Sequence, residues 1–246
     1  MLDVLTLISG PVYIFILYVL VSRKVFNASF TSLSVSLGAM DIGIAVTNAL
    51  LFVIPSRNWF RFIYLSWPHL SAIVLDCLAL ALAFARPAAM TLMALNRCWA
   101  LYAPLKYNQH RTTTLTNGMI AFNWLIPTLM TVPVWADDQL KFESVGNGTD
   151  QFMQLGEFKM LGAYFALMGL ATLVSSLLCI ILYSLAAFKL VERRRVGTTA
   201  ANSDEKKAIK LEVTIFTYSM LMSSALIVQA GLTLLIMGLA SLSPSL

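Results

Sequence analysis

The sequence predicts an all-α fold, a polytopic bundle of transmembrane helices. Hydrophobic residues make up 59% of its 246 residues and charged residues only 12%, and the mean hydropathy is +0.78. A soluble domain carries about 25% charged residues, so most of this chain avoids water. Inside a bilayer only structures that satisfy their own backbone hydrogen bonds are stable, which favours helices here.

Six apolar runs have the length of about 20 residues that a membrane-spanning helix needs, so we expect residues 1–246 to form one transmembrane helical domain. The first run carries Asp3 where a signal peptide would carry positive charge, and it lacks a clean cleavage site, so we interpret it as a real span. The six predicted spans cover about residues Leu2–Val21, Leu33–Ile54, Leu70–Tyr102, Leu115–Trp135, Met160–Leu190 and Leu211–Leu239.

Basic residues are distributed unequally between the loops. Of the 17 Lys and Arg residues, twelve fall on one side of the membrane, four on the other, and Arg86 lies within a span. Because basic loops favour the cytoplasm, we expect a multi-pass plasma-membrane protein with its N-terminus outside. The net charge of +5 then reflects this topology and not nucleic-acid binding. The polar inner loop, residues 191–210, is either a solvated loop with stop-transfer charges or a docking surface for a cytosolic partner.

The predicted outer loops carry two recognisable features. Residues 136–159 are acidic and contain the sequon Asn147-Gly148-Thr149, where we expect glycosylation. A second sequon at Asn27-Ala28-Ser29 falls on the cytoplasmic side and should be silent. The first outer loop is crowded with aromatic residues, which suit either an aromatic belt or a loop lid. They are Trp59, Phe60, Tyr64 and Trp67.

No catalytic or metal-binding pattern is present in the sequence. Cys77, Cys98 and Cys179 lie in or beside apolar runs without metal-ligand spacing, and His69 and His110 are isolated. We therefore expect no cofactor and no metal. A membrane enzyme would need clustered His, Asp, Glu or Cys residues near one membrane surface, so we expect that the protein is not an enzyme.

The end of the third predicted span carries the most specific motif. It reads Asn96-Arg97-Cys98, and the following loop contains Pro104-Leu105-Lys106-Tyr107. This pattern resembles the helix-three signature of rhodopsin-like seven-helix G-protein-coupled receptors. That signature consists of an acidic residue, arginine and an aromatic residue, followed in the next loop by Pro-Leu-x-Tyr. With Asn96 replacing the acid, it resembles the nematode serpentine chemoreceptors, in particular their Srg/Srv-like branch.

Other positions are similar to those of the same family. Asp41 resembles the buried aspartate in the second helix of these receptors. Trp124 and Pro133 resemble the tryptophan and proline of the fourth helix, and Tyr183 resembles a tyrosine of the fifth helix. The chain also departs from the family pattern. No cysteine is available in residues 136–159 for the usual disulfide, the sixth span lacks its proline, and no seventh apolar run follows Leu239. We expect either an incomplete receptor or a six-helix protein.

The resemblance implies a chemosensory receptor with a seven-helix type of fold. It would bind a small molecule from outside and signal to a heterotrimeric G-protein in the cytoplasm. Arg97 and Asn96 would form the switch, together with Tyr183 and with Glu212 as the acceptor for Arg97. Alternatively, Glu212 is a solvated charge that pairs with lysines on its own helix. The resemblance assigns the G-protein contact in the inner loop to Pro104, Leu105 and Tyr107.

Two charged residues lie deep within the predicted spans. Arg86 is eleven residues from Arg97, hence roughly 16 Å along the helix, and Asp41 lies at a similar depth in the second span. A charge at this depth costs roughly 3 kcal/mol or more unless it is paired, so we expect an Asp41–Arg86 ion pair. In the receptors that the sequence resembles, a sodium ion can supply a positive charge beside the helix-two aspartate. The resemblance implies that Arg86 supplies this charge here. Alternatively, Arg86 is a tolerated residue beside Pro87.

A ligand pocket is expected near the outer end of the third span. Asp76, with Trp67, His69 and Gln229, could line it, and Asp76 and His69 share one helix face. Alternatively, Asp76 is an interfacial aspartate that faces water.

The competing functional class is a six-helix transporter or channel. Intramembrane charges often line substrate paths, and Asp41, Asp76 and Arg86 would do so here. Transporters of this kind are commonly built from internal repeats, and the two halves of this sequence show none.

Overall fold

The structure, a computed structural model, describes most of the middle of the chain. The first and sixth predicted spans lie outside the described residues, apart from helical Tyr18, and so do Glu212 and Gln229. The described residues are Tyr18, 28–103, 107, 113–136, 140–145, 152–155 and 161–197.

Long apolar helices dominate the described residues. Four stretches are long and apolar enough to cross a membrane, and they coincide with the second to fifth predicted spans. These stretches are Ser29–Ser56, Pro68–Tyr102, Thr114–Ala136 and Ala166–Glu192. The helices are α1 (Ala28–Asn48), a π-helix (Ala49–Val53), α2 (Ile54–Ser56), α3 (Arg61–Ser66), α4 (Pro68–Tyr102), α5 (Thr113–Met130), a 3-10 helix (Val132–Ala136) and α6 (Leu161–Gly197).

The α6 helix corrects the predicted start of the polar inner loop. Residues 191–197 are helical, whereas the sequence placed them in a loop beginning at 191. Hydropathy detects only the part of a helix that lies in lipid, but Glu and Arg are good helix formers in water as well. Lys189 Nζ also lies 2.6 Å from Glu192 Oε2, an i,i+3 ion pair that supports the helix at this point.

A β-hairpin interrupts the helical architecture between α5 and α6. Strands β1 (Phe142–Val145) and β2 (Phe152–Leu155) pair antiparallel, with Phe142 opposite Leu155. The sequence predicted only an acidic loop here, so this short hairpin is a local addition to an architecture that is otherwise helical among the described residues. The sequon at Asn147 falls between the two strands in the sequence, outside the described residues.

The helix that contains α1 changes its register near a proline. In the π-helix Ala49–Val53 the carbonyls pair with N–H groups five residues on. The carbonyl of Leu50 would then pair with residue 55, which is Pro55 and has no N–H. The Tyr64 hydroxyl of α3 donates to the Leu50 carbonyl instead, at 2.8 Å. This tyrosine supplies the donor that the proline lacks and fixes α3 against the end of the span.

Large apolar side chains cover the exposed surface of α6. In a soluble protein such a continuous apolar surface would be unusual, whereas in a bilayer it is the surface that meets lipid. The exposed residues include Leu170, Leu173, Val174, Leu177, Ile181, Leu185 and Phe188.

The contacts divide the chain into two compact units, Met1–Ala89 with Thr116–Ala166 and Met90–Leu115 with Leu167–Leu246. In the first unit α1 and α4 approach closely, because a Cβ atom added at Gly43 would lie 3.0 Å from a δ-carbon of Leu82. In the second unit a buried cluster contains Leu101, Ala186 and Leu190.

Candidate functional site

Two charged side chains meet between α1 and α4 in the first unit. Arg86 Nε lies 2.5 Å from Asp41 Oδ1, and the side chains are only 25% and 12% exposed. Both residues belong to helices of membrane-spanning length. Arg86 immediately precedes Pro87, which cannot donate a backbone hydrogen bond within the helix. The structure therefore brings together the two charges that the sequence placed at one depth.

Helix α5 adds an amide to this location. The buried side chain of Asn123 donates through Nδ2 to the carbonyl of Ala85, at 3.2 Å, and lies 3.8 Å from the sulfur of Met40. Ala85 and Met40 directly precede Arg86 and Asp41 in the chain. Asn123 therefore joins α5 to the backbone of α4 and to α1 beside the ion pair. We call Asp41, Arg86 and Asn123 the polar centre.

Asn123 was not predicted as a site residue, although the sequence carries a signal for it. It is the single amide within the apolar run Met119–Met130, and a polar side chain inside a span usually faces other helices. The adjacent Trp124, identified only by resemblance, donates through Nε1 to Ser36 Oγ at 3.1 Å. Further along the same two helices, Thr116 Oγ1 donates to buried Ser29 Oγ at 3.0 Å. Hydrogen bonds thus connect α1 and α5 at more than one level.

Asp76 lies nearer the Pro68 end of α4. It is 7% exposed, and its Oδ2 atom makes no hydrogen bond within the part of the chain that the structure describes. Neighbouring polar groups are already engaged with backbone carbonyls. The Cys77 thiol lies 3.8 Å from the carbonyl of Thr131, and the Tyr164 hydroxyl donates to that of Met130 at 2.8 Å. Asp76 is therefore buried, in contrast to the alternative of an interfacial aspartate in water.

The other predicted pocket residues occupy a different environment. His69 and Trp67 are exposed, whereas Asp76 is buried. His69 Nδ1 lies instead 2.8 Å from the carbonyl of Leu140, which precedes β1. Shared position on an ideal helix face did not predict this difference. The residue next to Asp76, Cys77, lies 3.8 Å from the carbonyl of Thr131, so another segment packs against the helix at that level.

The second unit contains the predicted switch at the Tyr102 end of α4. Asn96 is buried and Arg97 half-buried. Tyr107 is buried, with its ring edge-on to Trp99 at a centroid distance of 6.1 Å. Tyr183 of α6 is also buried. Pro104 and Leu105 lie outside the described residues, as does Glu212, so the predicted Arg97–Glu212 contact is a proposal.

The His, Cys, Asp and Glu side chains are dispersed among the described residues. Among them no group of three or more His, Cys, Asp or Glu side chains is close enough to hold a metal ion. Cys77, Cys98 and Cys179 are free thiols.

Comparison with known proteins assigns the chain to a family. None of the curated proteins matches it. The family model described as serpentine type 7TM GPCR chemoreceptor Srv matches residues 3–240, nearly the whole chain. This match confirms the resemblance drawn from the motif that begins at Asn96. The chain, a membrane protein with apolar helices and a buried ion pair between two of them, therefore belongs to the Srv family of serpentine G-protein-coupled chemoreceptors.

Proposed function

We propose that the protein is a plasma-membrane receptor that binds a small molecule from outside and activates a heterotrimeric G-protein in the cytoplasm. The observation that carries this proposal is the family match over residues 3–240, and the polar centre offers a packing contact on which a ligand could act. A buried ion pair adds little net stability compared with apolar replacements, but leaving one charge without its partner is costly. We therefore propose that this pair favours one helix packing over another, as a two-state receptor requires.

A ligand can shift this packing only by its differential affinity for two states. Asp41, Arg86 and Asn123 join α1, α4 and α5, so relative movement of these helices must rearrange the contacts at the polar centre. We expect the ligand-free packing to be the one described here, and the active packing to change these contacts.

The ligand contact that we propose is Asp76. Its buried carboxylate oxygen can accept a hydrogen bond from an N–H or O–H donor, and a cationic donor would also offset the cost of the buried charge. Gln229 of the sixth predicted span is a second candidate. The exposed position of His69 favours a role at the rim of the site.

The G-protein contact that we propose is formed by Arg97 and the loop that follows α4. Tyr107 is held against Trp99, so one residue of this loop has a fixed contact with α4. Pro104 and Leu105 are proposed contacts on the basis of the motif alone. Asn96 carries no charge, so Glu212 is our candidate acceptor for Arg97 in the resting state, and Tyr183 lies buried on α6 in the same unit.

The test is nucleotide exchange in membranes that contain the chain with an N-terminal epitope tag. GTPγS binding by added G-protein heterotrimers would be measured with a panel of small odorant-like amines, alcohols and acids. We expect a subset to stimulate exchange, Arg97→Ala to abolish it, and Arg97→Lys to retain part of it. The tag should be accessible to antibody on intact cells.

Some results would contradict the proposal. One is normal exchange in the Arg97→Ala variant at equal surface expression. Another is uptake of labelled panel compounds that depends on Arg86, without any nucleotide exchange, which would favour the transporter alternative.

A further inference from the structure

We propose that the aromatic loop, residues 57–67 with helix α3 at its centre, inserts into the lipid interface of the leaflet at the Pro68 end of α4. The loop would contact phospholipid at the boundary between the headgroups and the acyl chains. The proposal concerns the contact between this loop and lipid, and it is independent of the ligand and of G-protein coupling.

The first argument is the exposure of large apolar side chains along the loop. Phe62 is 71% exposed and Trp67 is 68% exposed, and Trp59, Phe60 and Ile63 are each at least half exposed. Trp and other amphipathic aromatic residues are enriched at membrane–water interfaces, where the ring contacts lipid and its polar edge contacts headgroups. A run of them in open water would be costly, since each side chain exposes most of its apolar area.

The second argument is continuity with the lipid-facing surface of the adjoining helices. Along α4 the exposed residues Leu70, Val74 and Leu78 recur every fourth position, so they form one apolar stripe that reaches the start of the helix. Phe52, near the end of the preceding span, is also exposed. The apolar surface of both spans therefore extends to the ends of the loop that connects them.

The third argument is that internal contacts hold α3 in one orientation. Tyr64 is 5% exposed and is the residue of α3 that points inward, with its hydroxyl on the Leu50 carbonyl at 2.8 Å and its ring edge-on to Phe142 at 4.8 Å. Arg61 Nη2 donates to Ser144 Oγ at 3.1 Å. With Tyr64 fixed inward, Phe62, Ile63 and Leu65 remain on the outside of α3.

The fourth argument is the backbone conformation that precedes α3. Asn58 and Phe60 have φ values of 57° and 56°. Asn adopts this left-handed region readily, but for a bulky residue such as Phe it is unfavourable. The Phe60 carbonyl accepts a hydrogen bond from Ile63 N at 2.8 Å, whereas its ring is more than half exposed and makes little contact with the protein. Contact of the ring with lipid would offset the unfavourable conformation.

The experiment measures the depth of the loop in a bilayer. The full chain carrying Cys98→Ala would be reconstituted in phosphatidylcholine nanodiscs, with Phe62→Cys labelled by an environment-sensitive fluorophore. Cys77 and Cys179 are buried and should not react. The matched control is Lys141→Cys, an exposed position beside the hairpin. Quenching by a nitroxide on the lipid acyl chain would be compared with quenching by a water-soluble nickel chelate.

We expect lipid-nitroxide quenching at position 62 to exceed that at position 141 severalfold, and nickel quenching to show the opposite order. Equal nickel quenching at the two positions would place the loop in water and overturn the proposal. Protection of position 62 from both quenchers would also overturn it, because the loop would then be covered by protein, such as a second copy of the chain. Dilution of the chain to one copy per nanodisc distinguishes that case.

Discussion

Replacing Arg86 with methionine while Asp41 remains should destabilise the folded chain by about 3 kcal/mol. The guanidinium lies 2.5 Å from the carboxylate, and the two side chains are 25% and 12% exposed. Removing one partner of a buried pair typically costs roughly 3–5 kcal/mol, because the remaining charge is left uncompensated. Partial exposure of Arg86 favours the lower end of this range, and roughly 3 kcal/mol is also the insertion-based cost of one charge at mid-membrane.

The assay is a double-mutant cycle read out by thermal unfolding of the detergent-solubilised chain. Its members are Arg86→Met, Asp41→Asn and the double variant. We expect the double variant to be more stable than Arg86→Met alone, because it carries no unpaired charge at the polar centre. Exchanging the two residues, Asp41→Arg with Arg86→Asp, should restore part of the surface expression lost in either reversal alone. Strictly additive losses in the cycle would refute the coupling that the contact distance implies.

Other contacts lead to further tests by the same thermal assay. Gly43→Val should cost about 1–3 kcal/mol, since even a Cβ at this position would lie 3.0 Å from a buried leucine of α4; Gly118→Ala, with nothing within 4 Å, is the control and should be neutral or stabilising. Tyr64→Phe should cost about 1–3 kcal/mol, because the Leu50 carbonyl loses its donor. Burial raises the pKa of the Tyr64 hydroxyl above its ordinary value of 10.0, so the unfolded state ionises first as the pH rises. The parent chain should then lose stability at alkaline pH more steeply than Tyr64→Phe does. Asn123→Leu should lower the free energy of unfolding by about 1 kcal/mol, because the hydrogen bond to α4 is lost. An unchanged melting temperature would show that this hydrogen bond does not stabilise the protein.

Helices of membrane length were predictable from hydropathy because the requirement for lipid contact acts on every residue of a span. The third predicted span, 70–102, differs by two residues from Pro68–Tyr102, and the fourth, 115–135, is close to Thr114–Ala136. The depth of a residue within a span could also be calculated, because the helical rise is fixed at about 1.5 Å per residue. This calculation placed Asp41 and Arg86 at the same depth in the membrane, and the structure shows the two side chains in contact.

Features that depend on distant partners were not predictable in this way. The hairpin strands have four residues each, too short for a clear alternating pattern, and an isolated hairpin is marginally stable. Its first strand is held by Tyr64, which belongs to another loop. The role of Tyr64 depends in turn on a π-helix that ends near Pro55. The hairpin and the aromatic loop are therefore held by contacts with residues that are distant in the sequence.

The α6 helix has a mechanical consequence that follows from its length. It runs from Leu161 to Gly197 without a proline, which at the usual helical rise makes a continuous rod of roughly 55 Å. This exceeds the bilayer thickness of about 40–45 Å including headgroups. A rod that long converts rotation into displacement, since a tilt of about 5° about one end moves the other by roughly 5 Å. Within the second unit, which contains α6 from Leu167 onwards, a small change in helix direction would therefore be magnified at the basic end of the helix, Arg193–Arg195.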